Sequence, residues 1–138
     1  MQTTLTIIKP DAVAAGNAGN IIAHLQKEGF QVLCLKMLRL TEAQAKAFYE
    51  VHAARPFYGS LVEFMTSGPV IPIALARENA VLHLREVMGA TDPKEAATGT
   101  IRKLFAVSKG ENSTHGSDSP AAADREIAMN FRLDEIVG

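Results

Sequence analysis

The chain has 138 residues, 47% hydrophobic and 21% charged, with a net charge of -1 at pH 7. That is enough sequence for one domain with a sizeable core and no need of disulfide or metal staples. The near-neutral charge excludes a global basic field, so any polyanion must be held by a local group of Arg and Lys, and nucleic acid is not expected as a main partner.

The chain opens on "TTLTIIK", residues 3–9, whose alternation and β-branching predict a strand ended by Pro10 and Asp11. Ile21, Ile22 and Leu25 recur at helical spacing in 19–29, with Gly29 as the stop. "FQVLCLKMLRL", 30–40, is long and apolar and predicts a strand buried on most of both faces. It contains the only cysteine, Cys34, which reads as a small buried hydrophobe. Thr41 with Gln44 forms a capping-box pattern and opens a helix that should end before Arg55-Pro56. A short helix over 59–68 follows, closed by Gly68.

Residues 70–76, "VIPIALA", predict a third strand, with Pro72 marking an edge or a bulge. Residues 78–89 predict a helix with Ala80, Val81, Leu84, Val87 and Met88 on one side. From Ala90 to Gly110 the periodicity fades into a long irregular stretch with room for one short strand. Ser119 then caps a final helix with Pro120 at its first position. The order is close to βαββαβ. It implies a single α+β domain of ferredoxin-like type, a four-stranded antiparallel sheet covered by helices. A doubly wound parallel sheet is the alternative. No Gly-rich phosphate loop follows the first strand. No secretory leader is evident and no apolar stretch reaches spanning length. The expected compartment is therefore the cytoplasm, with no membrane partner.

The segment "ENSTHGSDS", residues 111–119, surrounds His115 with small polar residues that leave room beside its ring. Three readings compete: a turn histidine, a metal ligand and a nucleophile. His24, His52 and His83 fall in separate helical segments without ligand spacing, which argues against zinc. A neutral imidazole attacks phosphorus well when its second nitrogen donates to a carboxylate. Glu126, on the helix that turns back from Ser119, is the candidate acceptor. Lys9, Arg85 and Arg102 are candidate phosphate-binding cations, Arg being suited to bidentate grip. Residue by residue, a turn histidine and solvated surface cations remain open.

The blocks "TIIKPDAV", "RPFYGSLVEFMTSGPV", "GATDP", "GTIR" and "NSTHGSDS", followed by a helix carrying "EI", together resemble nucleoside diphosphate kinases over essentially the whole chain. The resemblance implies transfer of the γ-phosphoryl group of a nucleoside triphosphate, mainly ATP, to a nucleoside diphosphate. The implied route is ping-pong, through a phosphohistidine at His115. It implies that Glu126 orients the ring and that Ser117 supports that carboxylate. Lys9 and Tyr49 match groups near the γ-phosphate, and Arg85, Thr91 and Arg102 match the phosphate clamp. Asn112 matches the residue that bonds the ribose hydroxyl, and Phe57 the ring on which the base stacks. Asp118 matches an acid near the Mg2+ that travels with the nucleotide. A homo-oligomer, tetramer or hexamer, built on a common dimer is implied as well. Lys103, Leu104 and Thr98 depart from the usual pattern.

Overall fold

In the computed structural model, which describes residues 1–137, β1 spans Gln2–Ile8 and is buried from Thr4 onward. Three further strands join it: β2 (Gln31–Leu35), β3 (Ile71–Arg77) and β4 (Thr114–Gly116). They form one sheet in the order β2-β3-β1-β4 with every pairing antiparallel. Seven α-helices lie among the described residues. These are α1 (Pro10–Ala14), α2 (Ala18–Lys27), α3 (Glu42–Phe48), α4 (Tyr58–Met65), α5 (Ala80–Met88), α6 (Ile101–Phe105) and α7 (Pro120–Asn130). This is the expected ferredoxin-like α+β arrangement, and the doubly wound alternative is excluded by the antiparallel pairings.

Strand alternation divides the core between the two faces of the sheet. Ile8, Ile71, Ile73 and Leu75 pack with Ile21 and Leu25 of α2 and with Leu84 and Met88 of α5. Leu5, Ile7 and Ala74 pack with Ala45 and Phe48 of α3, Val62 and Met65 of α4, and Phe131 after α7. The five apolar positions expected on one side of α5 are all buried. The capping box is present: Thr41 Oγ1 accepts from Gln44 N at 3.1 Å, and Gln44 Oε1 accepts from Thr41 N at 2.9 Å.

Several elements differ from expectation. β2 covers only five residues and is an edge strand of mostly intermediate exposure, not one buried on both faces. Its outward residues stay open, with Leu35 46% exposed and Met37, just beyond, 60% exposed. β3 is central, although Pro72 suggested an edge. Lys36 N donates to Pro72 O at 3.3 Å just past the end of β2. A residue's N and O point to the same neighbour in an antiparallel ladder, so the missing Pro72 N–H falls where β2 has already ended. Pro10 does more than end β1; it sits at the first position of α1, where its lost N–H is free of cost. The mixed stretch "IRKLF" is helical because Thr100 caps it, accepting from Lys103 N.

Gly116 serves the core rather than the open side of His115. A Cβ there would lie 2.8 Å from Met88 Sδ and 3.2 Å from Leu84 Cδ2, so the missing side chain lets α5 settle on β4. Gly116→Ala is expected to overpack this contact and to cost about 1–3 kcal/mol, read as a lower midpoint in urea unfolding. An unchanged midpoint would show that Met88 moves aside freely.

Candidate functional site

β4 lies against β1 with Ile7 opposite His115, Thr6 opposite Gly116 and Ile8 opposite Thr114. The chain enters β4 through a tight turn. Ser113 has φ +70°, and Thr114 N donates to Asn112 O at 2.9 Å, closing three residues as a γ-turn. A non-glycine residue held there stores on the order of 1–3 kcal/mol of strain. Thr6, buried on β1, donates its hydroxyl to His115 O at 2.7 Å and fixes the backbone from the other side.

The His115 ring is largely buried, and its Nε2 lies 2.8 Å from Glu126 Oε1. Ser117 Oγ donates to the same carboxylate oxygen at 2.8 Å. Glu126 reaches the ring because Ser119 caps α7, accepting from Ala122 N, and Pro120 directs the first turn. Burial pushes the His115 imidazole below its ordinary value, with Lys9 and Arg102 adding to the effect and Glu126 opposing it. Burial pushes the Glu126 carboxyl up, but the hydrogen bonds from His115 and Ser117 and the charge of Arg125 leave it net below its ordinary value. The pair is therefore a neutral imidazole beside a carboxylate at neutral pH. A carboxylate only accepts, so Nε2 carries the proton and Nδ1 keeps its lone pair. Phe48 and Tyr49 meet the ring edge-on, with centroids 5.1 Å and 5.9 Å away. The Tyr49 hydroxyl is buried without a partner, and burial raises its pKa. It is a donor held ready for an acceptor.

Lys9 follows β1 directly, at the cap of α1, and is 8% exposed; its Nζ donates to Asn112 Oδ1 at 2.8 Å. Burial, and then Arg102, push its pKa down to about 8. Arg102 comes from the Thr100-capped α6. One arm of its guanidinium donates to Gly89 O at 3.0 Å and the other to Thr114 O at 2.9 Å, while Nε is buried without a partner. Burial, and then Arg85, lower its pKa to about 10. Arg102 is thus a strut between the end of α5 and β4 as well as a charge, a role with no sequence signal. The strut needs Gly89, whose φ is +87°; a Cβ there would stand 2.5 Å from Thr100 Oγ1. Arg85, Thr91 and Arg102 line one cleft. Among the described residues Lys9, Arg85 and Arg102 have no carboxylate ion-pair partner. Cations left unpaired at a cleft suit an anionic ligand.

Phe57 is 47% exposed, and with Lys9, Thr91, Leu61 and Phe64 it lines an adjoining cleft of about 620 Å³. Asn112 Nδ2 donates to Thr91 O at 3.4 Å at the junction. Asp118 is exposed and lines the cleft beside His115 and Glu126. Two residues that sequence reasoning passed over lie there as well, His52 and Arg125. The His52 ring is 5.3 Å from Phe57 and 6.4 Å from Tyr49 and links the two. Its place three residues after Tyr49 and five before Phe57 was the available signal. Among the described residues no cluster of three or more His, Cys, Asp or Glu can cage a metal. A lone exposed carboxylate fits a hydrated ion that arrives on a phosphate ligand. Among the described residues no helix is long and apolar enough to cross a membrane.

Residues 2–136 match the family model described as nucleoside diphosphate kinase. The chain is 55% identical over 138 residues to a nucleoside diphosphate kinase of Bradyrhizobium diazoefficiens, covering 100% of this chain and 99% of that one. It is 56% identical over 138 residues to the enzyme of the same name from Methylobacterium nodulans, with the same coverage. A crystal structure of the Aquifex aeolicus nucleoside diphosphate kinase superposes with a TM-score of 0.97 at 47% identity, covering 99% of each chain. A Halobacterium salinarum nucleoside diphosphate kinase in complex with CDP gives 0.96 at 39% identity, covering 99% of this chain and 91% of that one.

Proposed function

Since the chain belongs to the nucleoside diphosphate kinase family and is a phosphotransferase, we propose that it works by a ping-pong route through a phosphohistidine on His115, with ATP as the main donor. The observation that carries this reading is the 2.8 Å contact between His115 Nε2 and Glu126 Oε1, backed by Ser117 on the same oxygen. It leaves Nδ1 as the nucleophile. Nδ1 attacks the γ-phosphorus, the bond to the β–γ bridging oxygen breaks, and the nucleoside diphosphate leaves with that electron pair. A second nucleoside diphosphate then takes the phosphoryl group from Nδ1 by the reverse displacement, which restores the neutral ring.

Phosphoryl transfer asks the protein for positioning and for charge neutralisation on the equatorial oxygens. Lys9, Arg85 and Arg102 supply the positive charge, Thr91 adds a donor and the orphaned Tyr49 hydroxyl donates to a phosphate oxygen. Asn112, held by Lys9 Nζ at 2.8 Å, bonds the ribose hydroxyl. Phe57 stacks on the base, and because every base has a π face, discrimination among bases is weak. Mg2+ arrives with the nucleotide, Asp118 being the nearby acid, and supplies further charge neutralisation. The open β2 edge, with Leu35 and Met37, supports a homo-oligomer, tetramer or hexamer, built on a common dimer. The enzyme is read as cytoplasmic, with nucleotides rather than nucleic acid or membrane as its partners.

Incubation with ATP alone is expected to leave one acid-labile, base-stable phosphate on the protein, which added GDP removes. Phosphorus NMR of the labelled protein should place it on Nδ1. An acid-stable label, or phosphate on Nε2, would overturn the proposed chemistry.

A further inference from the structure

We propose that Asp11 is a positioning residue: its carboxylate clamps the strained γ-turn at Ser113 and thereby sets both Asn112 and His115. The proposal rests on the reading of His115 given above. Asp11 Oδ2 accepts from Ser113 N at 3.0 Å, while Lys9 N donates to Ser113 O at 2.8 Å. Both backbone polar groups of the strained residue are therefore held by the junction between β1 and α1. Ser113 is fully buried, and its hydroxyl donates to Asn112 O at 2.6 Å. On one side of the turn, Asn112 meets Lys9 Nζ at 2.8 Å. On the other side, β4 begins with Thr114, and His115 falls in register with Ile7.

A second observation separates this role from an ordinary acid at a helix start. Such a residue turns both oxygens to water. Here Asp11 Oδ1 is buried with no hydrogen-bond partner. The desolvation of that oxygen is tolerated while Oδ2 holds the amide. Without the clamp, a serine at φ +70° is free to relax toward the common negative-φ regions, because only glycine visits this region readily. Relaxation would pull Asn112 from Lys9 and shift His115 along β1.

The test is the rate of phosphohistidine formation from ATP in a single turnover, with thermal unfolding measured on each variant. Asp11→Ala should slow the rate tenfold or more at temperatures well below its own midpoint. Asp11→Asn keeps an acceptor oxygen but no charge, and should stay within about threefold of the parent. Ser113→Gly removes the cost of positive φ. Alone it should stay within about twofold, and combined with Asp11→Ala it should recover most of the lost rate. If Asp11→Ala is not recovered folded, Asp11→Ser, one bond too short to reach the amide, takes its place with the same expected outcomes. A double variant as slow as the single, or an Asp11→Asn variant as slow as Asp11→Ala, would overturn the clamp in favour of a charge or bulk stability role. A parent enzyme that forms no phosphohistidine would instead overturn the reading of His115 itself.

Discussion

Replacing His115 with alanine is expected to abolish the phosphoenzyme and to lower ATP-to-GDP transfer by on the order of 10⁴-fold or more. The loss is larger than for any other substitution because no neighbouring group can substitute for the nucleophile. His52 is 6.4 Å from Tyr49 but makes no contact with the Glu126 carboxylate, whose hydrogen bonds come from His115 and Ser117. Glu126 remains in the variant, buried and hydrogen-bonded by Ser117 with the charge of Arg125 nearby. Its pKa should rise, since the hydrogen bond from His115 helps to hold it down. Labelling with γ-phosphate-tagged ATP and steady-state exchange measure the first effect. A labelled alanine variant would sink the assignment of the nucleophile.

Arg102→Ala is expected to remove two things at once. Loss of a preorganised donor to the phosphates should lower kcat/KM by about 10²–10³-fold. Loss of the strut should leave Gly89 O and Thr114 O without their charged donor and cost about 2–4 kcal/mol of stability. Arg102→Lys separates the two. A lysine restores the charge but is a point donor without the fork that spans both carbonyls. It should recover part of the rate and little of the stability. Urea unfolding beside kcat/KM measures both, and a lysine variant matching the parent in both would show that the fork is not needed.

Local pattern made much of the fold legible. The period of α5, the Thr41–Gln44 box and the Ser119-Pro120 start are each written within a few residues, and each forms as read. An apolar run reads the same whether its outward side meets the core or an open edge, so β2 reads as buried on both faces. Only the strand order makes Leu35 and Met37 exposed. α6 has little apolar period and depends on a single cap at Thr100. The candidate site residues can be read one at a time, and the fold brings His115, Glu126 and Ser117 within hydrogen-bond reach. What no local pattern holds is the tension among them. The strain at Ser113 and the strut from Arg102 arise only when segments far apart in the chain are pressed together.

That separation has a kinetic side. Lys9 and Asn112 are 103 residues apart, and Thr6 and His115 are 109 apart. β4 supplies three residues to the sheet, and its strand partner is β1, from the start of the chain. Closing so long a loop has an entropic cost before any contact rewards it, and topologies rich in distant contacts fold slowly. Of the three strand pairings, β1–β4 spans the greatest separation along the chain, so its docking is expected to be the slowest of them. A chain whose β4 has not docked lacks the register that sets His115 opposite Ile7. On the proposed route, a chain without that register has no nucleophile in place and draws on no triphosphate.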